Sequence, residues 1–342
     1  MLTLRGPGGP RRGANLQNLG IIQDGAVLLA DGLIVEVGPS RRVENLALAK
    51  GADEIDASGC VVMPGFVDSH VHVARGATQE LSPRALKTLA LRVVEEAVRC
   101  GTTAMEAKSG DLRNLSTHAT LRELPLTFVS TFVSAGLPLE FAKRLLPLVR
   151  RRKLAEFAEI GCADDATLAQ ARELGLGLKV SAGIMLAAAL GAASVNVMEA
   201  TDRDAMLLAQ SETIATLSPA VAFDQRAECY PPARMLIDHG VAIALGSGVN
   251  PPNMQMTIAL ACRAMNMTVA EAIAASTINS AHAIGRGGNV GSIEAGKSAD
   301  LSILGVPDYR ELPYHFGVNL VSLVMIRGAV LVERSEVKWP AS

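Results

Sequence analysis

The chain has 342 residues, 49% of them hydrophobic and 19% charged, enough for one large core and a small satellite and too long for a single small sandwich. A formal net charge of −2 offers nucleic acid or an acidic membrane surface no electrostatic attraction. The five cysteines (Cys60, Cys100, Cys162, Cys229, Cys262) are odd in number, far apart and form no CxxC, which reads as reduced thiols in a cytosolic protein. The opening MLTLRGPGGPRRG is too polar for a secretory signal. The most apolar stretch, Ile184 to Met198, is shorter than the about 20 residues of a membrane span. A cytoplasmic protein with no nucleic-acid or membrane partner is expected.

From about residue 20 to 63, short apolar runs close on turn residues: GAVLLADGLIVEVG, then EIDASGCVVMPG. The Asp31-Gly32 step is a hairpin signal. The middle of the chain holds eight short apolar runs, at Val61–Val67, Thr102–Ala107, Leu126–Phe132, Ala155–Ile160, Leu178–Ala182, Ser194–Val197, Thr213–Leu217 and Val241–Leu245. Helical stretches such as PRALKTLALRVVEEAVRC, DDATLAQARELG and PPARMLIDHG lie between them, the last with prolines at its start and Gly240 past its end. Eight strand–helix repeats argue for an α/β fold, a (β/α)8 TIM-type barrel. The C-terminal GSIEAGKSADLSILG and LVSLVMIRGAVLVER return to the β style. The division expected is a barrel over 64–285 and a small composite β domain formed by both termini, 1–63 plus 286–342.

The strongest local signal is Pro64-Gly65-Phe66-Val67-Asp68-Ser69-His70-Val71-His72. Residues i and i+2 on a strand point the same way, so His70 and His72 can present both imidazoles to one point. That point is the C-terminal end of the first barrel strand, where barrel enzymes keep their chemistry.

An HxH that follows PGxxD and leads into a barrel resembles the amidohydrolase superfamily. Glu106-Ala107-Lys108-Ser109-Gly110, Tyr230-Pro231-Pro232-Ala233-Arg234, the stretch Ala272–His282 and Val306–Asn319 narrow the resemblance to the imidazolonepropionase family, over about Gly9 to Arg327. The resemblance implies metal-assisted hydrolysis of a cyclic-amide C–N bond in histidine degradation, with zinc or iron as cofactor and a homodimer as assembly. It also implies two histidines from strand one, a third from strand five, an assisting histidine on strand six and an aspartate on strand eight.

His70 and His72 match the first pair as metal ligands. The strand-five ligand position is Ser181, the strand-six histidine position Val197 and the strand-eight aspartate position Gly248. Serine is a poor zinc ligand, valine carries no proton, and glycine has no side chain, so two imidazoles remain without a base. Such a half-site is expected to hold a divalent ion weakly or not at all. The substrate side departs too: the family's arginine after HxH falls at Gln79, its tyrosine after EAKSG at Asp111, a histidine after strand three at Gly136, and an acidic pair at Ala163-Asp164. Glu106, Lys108 and Asn250 complete the expected pocket. The chain is shorter than the family norm after His72 and around residues 113–125 and 140–150.

The leading expectation is therefore a hydrolase by descent that is catalytically impaired, serving as a binding module or partner subunit for a small-molecule ligand. A second reading keeps an active hydrolase with a rebuilt site, His70 and His72 joined by a carboxylate such as Asp111, Glu106 or Glu159, on a different substrate. A third makes the chain a decaying gene copy. Among the other histidines, His282 reads as structural, His118 and His239 as surface residues, and His315 as packing the barrel against the small domain.

Overall fold

The structure is a computed structural model that describes residues 1–73, 81–161, 165–333 and 336–337. The hairpin β1 (Gly25–Ala30) and β2 (Leu33–Pro39) turns at Asp31 and Gly32, both at positive φ, 52° and 77°. Those are the angles a two-residue hairpin turn needs. Next comes β3 (Val61–Pro64), and then the barrel strands: β4 (Phe66–Val71), β5 (Thr102–Ser109), β6 (Thr127–Val133), β7 (Phe157–Ile160), β8 (Gly177–Val180), β9 (Ser194–Asn196), β10 (Ile214–Leu217) and β11 (Ile243–Leu245). They form one sheet in the order β11-β10-β9-β8-β7-β6-β5-β4, every pairing parallel. With helices in between, this is the (β/α)8 barrel.

The run Val61–Val67 is two strands rather than one. Gly65 breaks it, and β3 leaves to pair with β12 (Leu301–Leu304). A Cβ at Gly65 would collide with the Thr103 side chain, so only glycine lets the chain pass from one sheet to the other. With β13 (Val321–Ile326), β14 (Ala329–Glu333) and β15 (Glu336–Val337), these strands make a five-stranded antiparallel sheet drawn from both ends of the chain.

The helix Pro83–Arg99 shows why the outer layer forms. Ser82 caps it, accepting from Ala85 N, and Pro83 opens it. Its buried residues Leu86, Ala90, Val93, Val94, Ala97 and Val98 recur at helical spacing and face the barrel. No helix among the described residues is long and apolar enough to cross a membrane.

The barrel interior is layered by the period-two rule. Val67, Ala104 and Val129 pack on Ala281, Ile284 and Val290, so the helix Ile278–Ala283 and the turn after it plug one end. Two residues further along each strand come Glu106 and Thr131, and after those Lys108. The seam between β11 and β4 is sewn by local bonds: Gly248 N to the His70 carbonyl (2.7 Å), Ser247 N to Asp68 Oδ1 (2.9 Å) and Ser69 Oγ to the Leu245 carbonyl (2.9 Å). A Cβ at Gly246 would run into the His70 Cβ and backbone, so this close approach also requires glycine.

Asn279 ties the N-terminal segment to the barrel. Its side chain accepts from Arg11 N (2.7 Å) and donates to the carbonyls of Arg11 (2.9 Å) and Ile243 (2.8 Å), all buried.

His118 is not a surface residue. It lies on the inner face of the helix Leu112–Leu121, 1% exposed, with Nδ1 3.0 Å from Ser130 Oγ and its ring edge-on to Phe128. Burial lowers its pKa to about 3. The folded state therefore refuses a proton that the unfolded chain accepts below about pH 6.5. This stability is fully present above pH 6.5 and drains away as pH falls towards 3. His118→Gln should flatten that limb by up to about 1.4 kcal/mol per pH unit, read from urea unfolding between pH 7 and 4. An acid limb as steep as the wild type's would show that His118 does not titrate in this way.

Candidate functional site

The site lies at the C-terminal ends of the barrel strands, where β4 delivers its two histidines. The β4–β5 register slips between Asp68 and Val71, a bulge that re-aims the last residues of the strand. His70 and His72 Nε2 atoms stand 3.3 Å apart. His72 Nδ1 lies 3.0 Å from the Lys108 carbonyl, which can only accept, so that nitrogen carries the proton. His72 Nε2 is then an acceptor, and the short contact makes His70 Nε2 the donor to it. The atoms that would coordinate an ion are thus hydrogen-bonded to each other. His70 Nδ1 is left as a buried lone pair with no hydrogen-bond partner among the described residues. Burial first, then the Lys108 charge, drives the His70 pKa well below its usual value, so this imidazole is neutral at pH 7.

Below the histidines sit two buried ion pairs. Lys108 Nζ is 2.5 Å from Glu159 Oε2, and Glu159 Oε1 accepts from Ser181 Oγ (3.1 Å) and Asn196 Nδ2 (3.0 Å). The Asn196 Oδ1 lies 3.5 Å from Lys108 Nζ. One layer deeper, Lys179 pairs with Glu106 Oε2 and donates to the Ala283 carbonyl (2.8 Å), while Thr131 Oγ1 donates to Glu106 Oε1 (2.5 Å). Burial disfavours every one of these charges. At Lys108 the field of Glu159 and Glu106 outweighs it and raises the pKa; at Glu159 the field of Lys108 and Lys179 outweighs it and lowers the pKa. The four charges balance.

The three positions where the resemblance expects a histidine, a second histidine and an aspartate have distinct surroundings. Ser181 follows β8 and serves Glu159. Val197 is 2% exposed and belongs to the apolar core. Gly248 sits at φ 65°, and a Cβ there would overlap the Val221 Cγ2 methyl of the helix Pro219–Asp224. Room for a carboxylate at position 248 is gone.

The remaining expected residues scatter. Asp111 caps the helix Leu112–Leu121, its Oδ1 taking the Arg113 amide at 2.6 Å. Gly136 occupies a turn after β6 at φ 82°. Asn250 donates to the His72 carbonyl at 2.8 Å and so steadies the end of the histidine strand. Gln79 and the Ala163-Asp164 pair lie outside the described residues. His315 is exposed and bonds Glu311 (3.2 Å); the barrel contact of its segment comes instead from Asn319, through Gln255 and the Arg99 carbonyl. Among the described residues no group of three or more His, Cys, Asp or Glu could hold a metal ion. The donor set therefore does not fit the zinc or iron centre that the fold family implies.

Sequence reasoning missed three contributors. Lys179 was passed over as part of a strand, although its place two residues before Ser181 puts it on the inner face. Asp68 is fully buried, accepts from His70 N (3.1 Å) and Ser247 N, and has its pKa raised by burial to about 6. Asn196, which bridges Lys108 and Glu159, gave no signal beyond its parity on β9.

Two distinct amidohydrolase family profiles match, one over residues 166–331 and the other over residues 53–122. The imidazolonepropionase of Alkaliphilus metalliredigens (strain QYMF) is 32% identical over 411 aligned positions, covering 98% of this chain and 97% of its own. That of Porphyromonas gingivalis (strain ATCC BAA-308 / W83) is 38% identical, covering 92% and 89%. Among solved structures, an N-isopropylammelide isopropylaminohydrolase from Burkholderia multivorans ATCC 17616 superposes with a TM-score of 0.76 at 16% identity, covering 96% and 98%. A zinc-bound adenosine deaminase from Xanthomonas campestris gives 0.74 at 18%, covering 93% and 90%. The chain belongs to the amidohydrolase family, whose members are metal-dependent hydrolases. Within that family its sequence stands with the imidazolonepropionases. An alignment of 411 positions against a chain of 342 residues also means that stretches of the Alkaliphilus enzyme have no counterpart here.

Gly248→Asp should destabilise the fold by on the order of 1–3 kcal/mol, from the positive φ and the overlap with Val221. In a Val221→Ala background the same substitution should cost at least about 0.5 kcal/mol less. Denaturant midpoints of the four proteins test this, and simple additivity would show that Val221 does not occupy the space.

Proposed function

We propose that this protein is an imidazolonepropionase-family barrel that no longer hydrolyses a cyclic amide and acts as a non-catalytic binding or partner subunit. Amide hydrolysis on a metal needs an ion with an open position, a base for the attacking water, and groups that hold the substrate. What supports the reading is the set of side chains at the three strand ends where the resemblance expects ligands and base, namely Ser181, Val197 and Gly248, and above all Val221, whose methyl a Cβ at position 248 would overlap. Deleting the base alone typically removes about 10²–10⁴-fold of rate, and the carboxylates that the sequence offers as substitutes, among the described residues, are already engaged. Asp111 is engaged by a helix amide, and Glu159 and Glu106 by lysines.

What the mouth retains is suited to holding a small polar molecule rather than transforming one. His70 Nδ1 offers a buried acceptor, the His70 imidazole is neutral, and the layer beneath it pairs two lysines with two glutamates.

The test is metal content and turnover on untagged protein dialysed against trace zinc, iron and manganese. No stoichiometric metal and no hydrolysis of imidazolone or related lactams are expected. Retention of about one ion per chain that His70→Ala releases, with lactam turnover, would instead establish a rebuilt hydrolase centre.

A further inference from the structure

We propose that the end of the barrel opposite the histidine pair is a docking surface for an acidic segment of a partner protein, centred on the basic run Arg150-Arg151-Arg152-Lys153. The run lies in the turn that leads into the N-terminal end of β7, whereas the histidines lie at the C-terminal ends of the strands. This surface therefore stands or falls separately from the reading of the mouth.

The sequence concentrates charge here, and the backbone holds it in place. The helix Leu139–Arg151 ends in a closed turn: Leu154 N donates to the Val149 carbonyl (2.9 Å) and Lys153 N to that of Arg150 (3.0 Å). Lys153 takes the left-handed position of that turn, φ 52°, where glycine is the residue without strain. From the neighbouring turn the Arg122 guanidinium forks onto the carbonyls of Lys153 (2.6 Å) and Leu154 (2.8 Å). The run is thus presented on a fixed backbone, and all four of its side chains are exposed.

Cations at a helix C-terminus complement its dipole, but that role is too small to account for these. Arg122, Arg150, Arg151, Arg152, Lys153 and Arg286 make six cations, against the two carboxylates Glu123 and Glu156 on the same turns. The ends of the helices Leu112–Leu121 and Leu139–Arg151 add about half a negative charge each, which leaves about three positive charges over. Among the described residues Arg286 pairs with Glu156 at 2.5 Å, and none of the four residues of the run pairs with any carboxylate. This surplus stands on a chain whose formal net charge is −2.

The shape of the patch selects the partner. Successive helical residues point about 100° apart, so the side chains fan over a face and do not converge on one small anion. No exposed large apolar side chain belongs to these turns, so nothing there anchors in a bilayer or stacks on nucleic-acid bases. An extended polyanion would also meet the negative remainder of the chain. A bounded acidic patch on a protein meets only the surplus.

The experiment is fluorescence anisotropy of a labelled hexaglutamate peptide in low-salt buffer, on the wild type and two charge-reversed proteins. Arg151→Glu/Lys153→Glu reverses the docking surface. Arg84→Glu/Lys87→Glu makes the same change of net charge at exposed positions on the helix Pro83–Arg99. The wild type should bind, more weakly as salt rises. The first variant should bind at least about tenfold more weakly, and the second within about twofold of the wild type. Equal loss in both variants, no loss in the first, or no binding by the wild type overturns the proposal. So does tighter binding of duplex DNA or of phosphatidylserine vesicles than of the peptide, or salt-sensitive self-association that the first variant abolishes, since each gives the surface a different occupant.

Lys153→Gly supplies a variant that is safe for folding, because glycine suits the left-handed turn. Combined with Arg151→Gln, it should weaken peptide binding by at least about threefold at an unchanged or higher melting temperature. Unchanged affinity in that folded variant overturns the proposal as well.

Discussion

Everything at the mouth of this barrel rests on the double ion pair that crosses its interior. Lys108 and Glu106 come from β5, Glu159 from β7 and Lys179 from β8, and Thr131 of β6 completes the set. Both oxygens of each carboxylate are engaged: those of Glu106 by Thr131 and Lys179, those of Glu159 by Lys108, Ser181 and Asn196. Burying two such pairs costs desolvation that Coulomb attraction alone does not always return, so their value is in register more than in stability. A slip of one residue in any of these strands would turn a charge outward and strand its partner in an apolar interior. The four strands are therefore locked against each other, and the height at which His70 and His72 emerge is set accordingly.

The same network explains how the mouth is well formed with a serine, a valine and a glycine at the ends of three of its strands. In a metal centre the ion gathers its ligands from several strands and neutralises them. Here the gathering is done by lysines, and hydrocarbon packs at two of the strand ends. Val197 enters the core, and Val221 covers Gly248, whose positive φ in turn suits a residue without a Cβ.

Much of the architecture was legible because a parallel barrel writes itself as repeated short apolar runs, and each of the eight runs contributes a barrel strand. Gly65 was the exception. Val61 to Val67 reads as one run, yet the break needed knowledge of how closely Thr103 passes. The histidine pair was legible from its two-residue spacing. What was not legible was every partner relation. Asp111 looked available until its helix amide was seen, His118 looked polar enough for the surface until Ser130 and Phe128 enclosed it, and Lys179 looked like any strand lysine. Such roles are set by residues far away in sequence, and local pattern carries no record of them.

The sheet built from both ends of the chain has a consequence for how the protein is made. β3 finds its strand partner in β12, and Arg11 finds Asn279 across 268 residues. During synthesis the N-terminal segment leaves the ribosome long before either partner exists, so its apolar residues must wait while the barrel strands are added in turn. Loop closure over such a span is slow, and exposed strand edges during the wait invite association with other chains. Topology thus sets one limit on assembly: the terminal sheet cannot close over the barrel until the last strands of the chain have been made.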